Sequence, residues 1–205
     1  MKLKFLIFFF IIIKITNAQT ELGVKIGGGS SSVDFRPKIE QQNINTFTTG
    51  LVFKHINKPI VGIQLELNYI QKGWKEIIDT LHFYKRSVNY IEFPVLTHFH
   101  IGKNKLGFFI NIGPDFAYHI KSKGDEYTKS QYSREYFYKD IKKFEYSLVF
   151  DLGFKLKTNV GCFQLEGRYI QALTNFLDSE IITDSRNKFI GVSLVYLYQI
   201  KSYTN

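Results

Sequence analysis

The chain has 205 residues, a length that suits one domain, and 44% of them are hydrophobic, which is enough for a buried core. Its formal charge is +9, but the basic residues are spread along the chain and form no cluster, so the charge is only a weak indication of a nucleic-acid partner, and we expect none. The single cysteine, Cys162, excludes an intramolecular disulfide framework and a cysteine-based zinc site. Aromatic residues make up 17%, a high share that is typical of strands and membrane interfaces.

The N-terminal residues 1–18 have the features of a signal peptide. Two lysines stand near the start, a short apolar run follows, and small or polar residues precede a cleavage site between Ala18 and Gln19. The apolar run is too short for a transmembrane helix, which needs about 20 residues. We therefore expect an exported protein with one mature domain over 19–205.

Eight segments of alternating polarity follow in chain order. Large apolar side chains take one parity, and polar residues or glycine take the other, which predicts β-strands with two different faces. In the third segment, for example, Leu65 and Leu67 alternate with Glu66. The segments cover 21–31, 47–55, 61–74, 87–101, 106–121, 144–156, 162–175 and 188–201.

The connections between these segments alternate in length. Short connections cover 55–59, 102–105 and 157–161, and long ones cover 32–46, 75–86, 122–143 and 177–187. Long loops on one side and tight turns on the other, around an even number of strands, are typical of an outer-membrane barrel. Both chain termini then lie on the periplasmic side.

The length of the apolar faces also favours a membrane. In 144–156, one face carries only large apolar side chains. A tilted strand crosses the outer membrane with about 9–11 residues, whereas strands of globular proteins average about 5–6. We predict an all-β fold, an eight-stranded antiparallel up-and-down transmembrane β-barrel with long extracellular loops and short periplasmic turns, in the cell outer membrane. Ile63, Leu65 and Leu67 then face lipid.

A barrel of this size is just wide enough to be filled by its own side chains, so the polar parity must pack inside. Charges that are buried together need hydrogen-bonded partners of opposite sign. We therefore predict an ion-pair network that fills the lumen and leaves it non-conducting. Its members are Lys25, Glu66, Lys72, Glu92, Glu145, Asp151, Lys155, Glu166 and Arg168.

Aromatic residues, Pro94, the glycines of 27–30 and the loop 121–143 each support a local prediction. Aromatic residues near strand ends are candidates for interfacial girdles: Tyr69, Trp74, Tyr118, Tyr169 and Tyr198. Pro94 inside a strand predicts a bulge, and the glycines of 27–30 predict a strand end or a bulge with close packing. The basic and aromatic loop 121–143 is either a solvated loop or a contact for anionic lipopolysaccharide or a surface partner.

The histidines raise the question of catalysis. His98 and His100 share a strand face with Glu92, which is compatible with a metal site or a catalytic dyad. Outer-membrane enzymes that modify lipid A need a serine and a histidine on the lipid-facing exterior. The parity places His98 and His100 inside near the periplasmic rim, which favours lumen filling. His119 and Asp115 are likewise expected to pack inside.

Several motifs resemble the PorT-like outer-membrane β-barrel family of Bacteroidetes. They are GIQLELNYIQKG at 62–73, YIEFPVL at 90–96, GP at 113–114, FDLG at 150–153 and RYIQAL at 168–173. Ala172 stands where the family usually has glycine. The resemblance implies an eight-stranded outer-membrane barrel. Most members have no assigned activity, and the role of the namesake in type IX secretion is tied to no motif in this chain.

The predicted function is that of a non-enzymatic, monomeric barrel with a structural, adhesion or secretion-accessory role. We predict no cofactor and no metal. The expected partners are outer-membrane lipid, lipopolysaccharide, and secretion or envelope proteins. Two alternatives stay open from the sequence. One is an outer-membrane enzyme that modifies lipid A, and the other is a soluble lipocalin-like barrel that binds a hydrophobic ligand inside.

Overall fold

The computed structural model describes residues 19–56, 60–77, 83–102, 105–127, 141–178 and 182–201. The predicted signal peptide, residues 1–18, lies outside the described residues, and Gln19 opens the first strand. Within the described ranges, no helix is long and apolar enough to cross a membrane.

The described chain forms nine β-strands, all paired antiparallel with their neighbours. They are β1 (Gln19–Arg36), β2 (Gln41–Gln42), β3 (Ile44–Ile56), β4 (Val61–Ile77), β5 (Phe83–Ile101), β6 (Leu106–Tyr127), β7 (Phe144–Thr158), β8 (Gly161–Ala172) and β9 (Asp184–Lys201). The two-residue strand β2 pairs with the end of β4. The eight long strands follow one another around a ring that β1 and β9 close. The predicted eight-stranded up-and-down barrel is confirmed.

Most strands extend beyond their predicted ends on the side of the long loops. β1 continues to Arg36 and β6 to Tyr127, and β9 begins at Asp184. The β9 extension carries polar residues on both faces, so hydrophobic periodicity does not reveal it, whereas the β1 extension alternates Val33 and Phe35 with Asp34 and Arg36. Backbone pairing with the neighbouring strand still satisfies their N–H and C=O groups. The barrel therefore projects past the apolar band on the extracellular side.

The burial of side chains shows which parity faces outward. Ile63 is 54% exposed, Leu67 48% and Leu148 44%, whereas Glu66 and Lys72 are buried. The apolar parity covers the outside of the closed ring, and the polar parity lies within it. This is the predicted arrangement for a strand between lipid and a lumen. The soluble lipocalin-like alternative requires the opposite orientation of the strands, which the structure does not have.

Two predictions about individual residues are wrong. Trp74 does not lie in an interfacial girdle, because it has the parity of Glu66 and Lys72 and is fully buried inside the barrel. Pro94 causes no bulge, since the register of β5 with β6 is the same on both sides of it and shifts instead between Asn89 and Tyr90. A proline has no N–H to donate, so Pro94 interrupts the ladder without displacing it.

The glycines of 27–29 lie in the middle of β1, where the register with β3 and β9 is regular. The predicted strand end or bulge is therefore wrong, but the close packing is present. A Cβ atom on Gly27 would lie 2.2 Å from Ser193 Oγ, and one on Gly29 would lie 2.8 Å from the Phe189 ring. Glycine is needed here because neighbouring side chains occupy the space.

Candidate functional site

The interior of the barrel is the candidate site, because the chain buries its charged side chains there. The short connections and the termini mark the periplasmic end. Along β4, the inward positions therefore run from Gln64 at the periplasmic side, through Glu66 and Lys72, to Trp74 at the extracellular side. Each of the four lies at a different level of the lumen, and each level has a different chemistry.

The central level is built around Arg168 of β8. Its Nε and Nη2 groups donate to the two carboxylate oxygens of Asp151, at 2.7 and 2.8 Å. Its Nη1 and Nη2 groups donate to the two oxygens of Glu66, both at 2.8 Å. One planar guanidinium thus makes two bidentate contacts, a geometry that lysine cannot reproduce.

Lys25 of β1 completes this level. Its ammonium group donates to Glu66 at 2.9 Å and to Glu166 at 2.7 Å. The amides of Gln64 and Asn68 also donate to Glu66, at 2.5 and 2.7 Å. Glu66 therefore accepts hydrogen bonds from residues of three strands. Such a network satisfies buried charges and holds opposite walls of the barrel together.

The next level toward the extracellular side is centred on Lys72 of β4. Its Nζ atom lies 2.6 Å from Glu92 of β5 and 2.9 Å from Glu145 of β7. Asn187 of β9 donates to Glu145 from the far wall. Lys72 also lies over the ring of Tyr90, 5.3 Å from its centroid, where a cation is attracted to the ring face.

The structure brings eight of the nine candidate network residues into ion pairs and places the ninth apart. Lys155 is only partly buried near the periplasmic end, and none of the described carboxylates lies within ion-pair distance of it. Strand position explains this difference. In the β6–β7 and β7–β8 ladders, Lys155 stands opposite Gly107 and Gln164. This position is several residues closer to the periplasmic end than the carboxylates of the network.

The periplasmic level is held by neutral partners. The fully buried ammonium of Lys54 donates to Gln164 Oε1 at 3.2 Å and lies 5.2 Å from the centroid of the Phe109 ring. His98 lies 2.6 Å from Asn111 through its Nδ1 atom, and Asn111 in turn donates to Asp151. His98 is therefore part of the lumen packing, at a place that a lipid substrate outside the barrel does not reach.

The extracellular level is apolar, and sequence reasoning missed it. Trp74, Phe35 of β1 and Phe176 from the segment after β8 pack with ring centroids 5.1 to 6.5 Å apart. Among the described residues, the buried members of this apolar plug are Val33, Phe35, Trp74, Tyr84, Phe176, Leu177 and Ile182. Parity alone identifies Phe35 and Trp74 as inward residues. Nothing in the local pattern indicates that the described parts of the 173–183 segment, 173–178 and 182–183, fold back into the mouth.

The backbone fixes that segment over the mouth. The N–H of Phe176 donates to Ser185 O at 3.0 Å, and its C=O accepts from the N–H of Lys142 at 2.7 Å. Leu177 pairs with Ile141 in an isolated bridge, and Thr183 donates to Arg36 O at 2.9 Å. These bonds connect the segment to β1, β9 and the residues just before β7, and Phe176, Leu177 and Ile182 are buried in the barrel.

Three carboxylates of the central level are close enough to hold a cation. Oxygens of Glu66, Asp151 and Glu166 lie within 4.8 Å of one another. Arg168 and Lys25 already donate to these three residues, so protein cations occupy the position where a metal ion would bind. The arrangement favours structural neutralisation of charge over metal chemistry.

Comparison with known proteins agrees with this architecture. A family described as outer membrane protein beta-barrel domain matches residues 17–178. No curated protein matches the sequence. The solved structure of OprG from Pseudomonas aeruginosa is similar at 13% identity and a TM-score of 0.53, over 90% of this chain and 96% of that chain. Ail from Yersinia pestis is similar at 12% identity and a TM-score of 0.49, over 88% and 99%.

Proposed function

Because the chain belongs to the outer membrane protein beta-barrel domain family, we propose that it is a non-enzymatic outer-membrane barrel that conducts neither ions nor solutes. It acts through its outer wall and its extracellular end, in a structural, adhesion or secretion-accessory role. Its membership of the PorT-like group of Bacteroidetes is part of this proposal and rests on the motifs of β4, β5 and β8. It functions as a monomer in contact with lipopolysaccharide and envelope proteins.

The observation that carries this proposal is the filling of the lumen. The Arg168 level and the Lys72 level bridge the barrel with ion pairs, and the apolar plug closes the extracellular mouth. A transported ion would have to break several buried ion pairs, and breaking one such pair by removal of a partner typically costs about 3–5 kcal/mol. A filled interior leaves the outer wall and the loops as the surfaces available to partners.

The lipid A-modifying enzyme finds less support. Its chemistry needs a histidine and a nucleophile that face lipid. His98 faces the lumen and is buried, and His100, on the same face, stacks beside it at 6.1 Å between ring centroids. The lumen geometry therefore favours a packing role for both.

Two measurements on a deletion strain test the proposal. We expect the uptake of small hydrophilic antibiotics and the mass spectrum of lipid A to be the same as in the parent strain. Slower uptake in the deletion strain, reversed by the intact gene, would contradict the closed lumen. A lipid A species that appears or disappears with the gene would instead support the enzyme.

A further inference from the structure

We propose that the periplasmic mouth of the barrel binds a phosphate group carried by a small solute of the periplasm. The phosphate site consists of Lys54 of β3, Lys155 of β7 and Gln164 of β8, which have the inward parity of their strands. These residues lie between the Arg168 level and the periplasm, so a ligand enters from the periplasmic side and the ion pairs stop it there. The proposal goes beyond the proposed function and needs no passage through the lumen.

Lys54 differs from the other two lysines that are fully buried in the barrel. Lys25 and Lys72 each have two carboxylates at 2.6–2.9 Å. In the part of the chain that the structure describes, no carboxylate lies within ion-pair distance of Lys54, although its side chain is 0% exposed. A buried ammonium group is costly unless it is paired with an anion. The position of Lys54 therefore calls for a negative charge from outside the chain.

The hydrogen bonds of this level are also incomplete. The ammonium group of Lys54 carries several N–H donors, but the described residues offer it a single acceptor, Gln164 Oε1 at 3.2 Å. The ring of Phe109, with its centroid 5.2 Å from Nζ, supplies only a weak contact to the cation. The Nε2 atom of Gln164 is buried too and has no hydrogen-bond partner among the described residues. One ligand with several acceptor oxygens would satisfy the donors of both side chains.

Further positive charge connects this pair of residues to the periplasm. Lys155 stands directly opposite Gln164 in the β7–β8 ladder and is half-buried. Lys157 has the same parity, lies two residues closer to the rim and is exposed. A cavity of about 190 Å³ opens at this rim and is lined by Lys157 and Cys162, among others. Cys162 precedes Gln164 by two residues on the same face of β8, so the cavity leads toward the phosphate site.

Glu21 is the one acidic side chain described between the Arg168 level and the periplasmic rim. It stands opposite Lys54 in the β1–β3 ladder, but its carboxylate lies beyond ion-pair distance of that lysine. The amide of Gln19 donates to Glu21 instead. Three lysines at 54, 155 and 157 therefore face one carboxylate, and the mouth keeps an excess of positive charge.

The donors favour a phosphate group over other anions. Phosphate carries several strong acceptor oxygens and up to about two negative charges, whereas a carboxylate offers fewer oxygens and one charge. Lysine binds phosphate as a point charge, and the amide of Gln164 adds a directed hydrogen bond. All three side chains of the site point into the barrel, away from the lipid headgroups around its outer wall. A solute of the periplasm therefore fits this position better than a membrane lipid.

The first test is calorimetric titration of inorganic phosphate into the barrel, purified from outer membranes in a detergent without phosphate groups. We expect saturable binding by the wild type and binding at least about tenfold weaker by Lys54→Met, because the buried positive charge is lost. Lys155→Gln is also expected to weaken binding. The matched control is Lys105→Gln, an exposed lysine of the same rim outside the site, which is expected to bind as the wild type does.

Heat stability gives a second readout, which a lysine with a packing role alone would not change in this way. The readout is the temperature at which half of the barrel loses its heat-dependent gel shift. Phosphate should raise this temperature for the wild type in a dose-dependent manner and leave that of Lys54→Met unchanged. Without phosphate, Lys54→Met should be at least as stable as the wild type, because it removes an unpaired buried charge, whereas Lys25→Met should be less stable.

Absence of phosphate binding by the wild type would overturn the proposal, as would equal binding by Lys54→Met. A loss of stability in Lys54→Met together with no effect of phosphate would make Lys54 a packing residue. Phosphatidylglycerol added to the micelles should not displace phosphate, and displacement would assign the site to a lipid headgroup in place of a solute. If Lys54→Met does not fold, Lys155→Gln decides, and equal binding by that variant would then contradict the site.

Discussion

Arg168 and Glu66 lie on opposite walls of the barrel and are joined across the lumen by two hydrogen bonds of 2.8 Å. β4 and β8 are four strands apart around the ring in either direction, so no pair of long strands is more distant. The same guanidinium also holds Asp151, its neighbour across the β7–β8 ladder. Arg168 therefore links two adjacent strands to the far side of the barrel.

The first prediction concerns this link. Arg168→Met leaves Glu66 and Asp151 without their main partner, and loss of one member of a buried ion pair costs about 3–5 kcal/mol. We expect the free energy of unfolding, measured by urea titration in lipid vesicles, to fall by about that amount. The matched control is Arg186→Met, whose pair with Asp184 is exposed and worth about 1 kcal/mol or less.

A double-mutant cycle separates coupling from packing. If Arg168 and Glu66 stabilise each other, the Glu66→Gln, Arg168→Met double variant loses less stability than the two single variants together, by at least about 1 kcal/mol. Additive losses would mean that the two residues act independently.

The second prediction concerns the lipid face. Leu148 points outward near the middle of the apolar band of β7, and arginine at such a position costs about 2–4 kcal/mol. We expect Leu148→Arg to reduce the amount of heat-shifting barrel in the outer membrane, while Leu148→Ile leaves it unchanged. Normal assembly of Leu148→Arg would place this face away from lipid.

The third prediction concerns the apolar plug. Trp74 packs against Phe35 and Phe176, and truncation of a buried tryptophan to alanine typically costs about 3–5 kcal/mol. We expect Trp74→Ala to speed proteolysis of the 173–183 segment in the folded barrel, because that segment loses its apolar contact. Leu173→Ala, at an exposed position of the same segment, serves as control. Equal cleavage of all three proteins would show that the plug does not hold the segment.

The fourth prediction concerns processing of the N-terminus. The residues at 16–18 predict cleavage after Ala18, and β1 begins at the next residue. Mass spectrometry of the protein from outer membranes should find a chain that starts at Gln19 or at pyroglutamate formed from it. Ala18→Tyr should prevent cleavage by placing a large residue next to the cut. A mature chain that starts elsewhere would contradict the proposed site.

Strand alternation and loop length predict the barrel because both follow directly from its geometry. A strand between lipid and a lumen must alternate apolar and polar side chains, as Leu65, Glu66 and Leu67 do. In a closed ring of hairpins, the long connections lie at one end of the barrel and the short ones at the other. These features are local in sequence. The polar parity could therefore be assigned to the lumen before any contact was known.

The partners within the lumen could not be predicted in the same way. Glu66 meets Arg168 only because the ring closes with a particular stagger of its strands. Lys155 has the same parity as the network residues but lies closer to the periplasmic end than they do. Parity shows which face of the strand a residue occupies and does not show its position along the barrel axis. Phe176 and Leu177 sit in a segment without regular alternation, so only the folded chain shows that they enter the mouth.

The central claim is that the ion-pair levels and the apolar plug close the lumen. The most direct test is single-barrel conductance of the wild-type protein in a planar lipid bilayer, with insertion verified by a heat-dependent gel shift of recovered protein. For the wild-type barrel, we predict a baseline without discrete openings at low voltage. We predict the same baseline for Trp74→Ala, because the ion pairs of the Lys72 and Arg168 levels remain in the lumen below the plug. Reproducible unitary openings of the wild-type barrel would contradict a closed lumen.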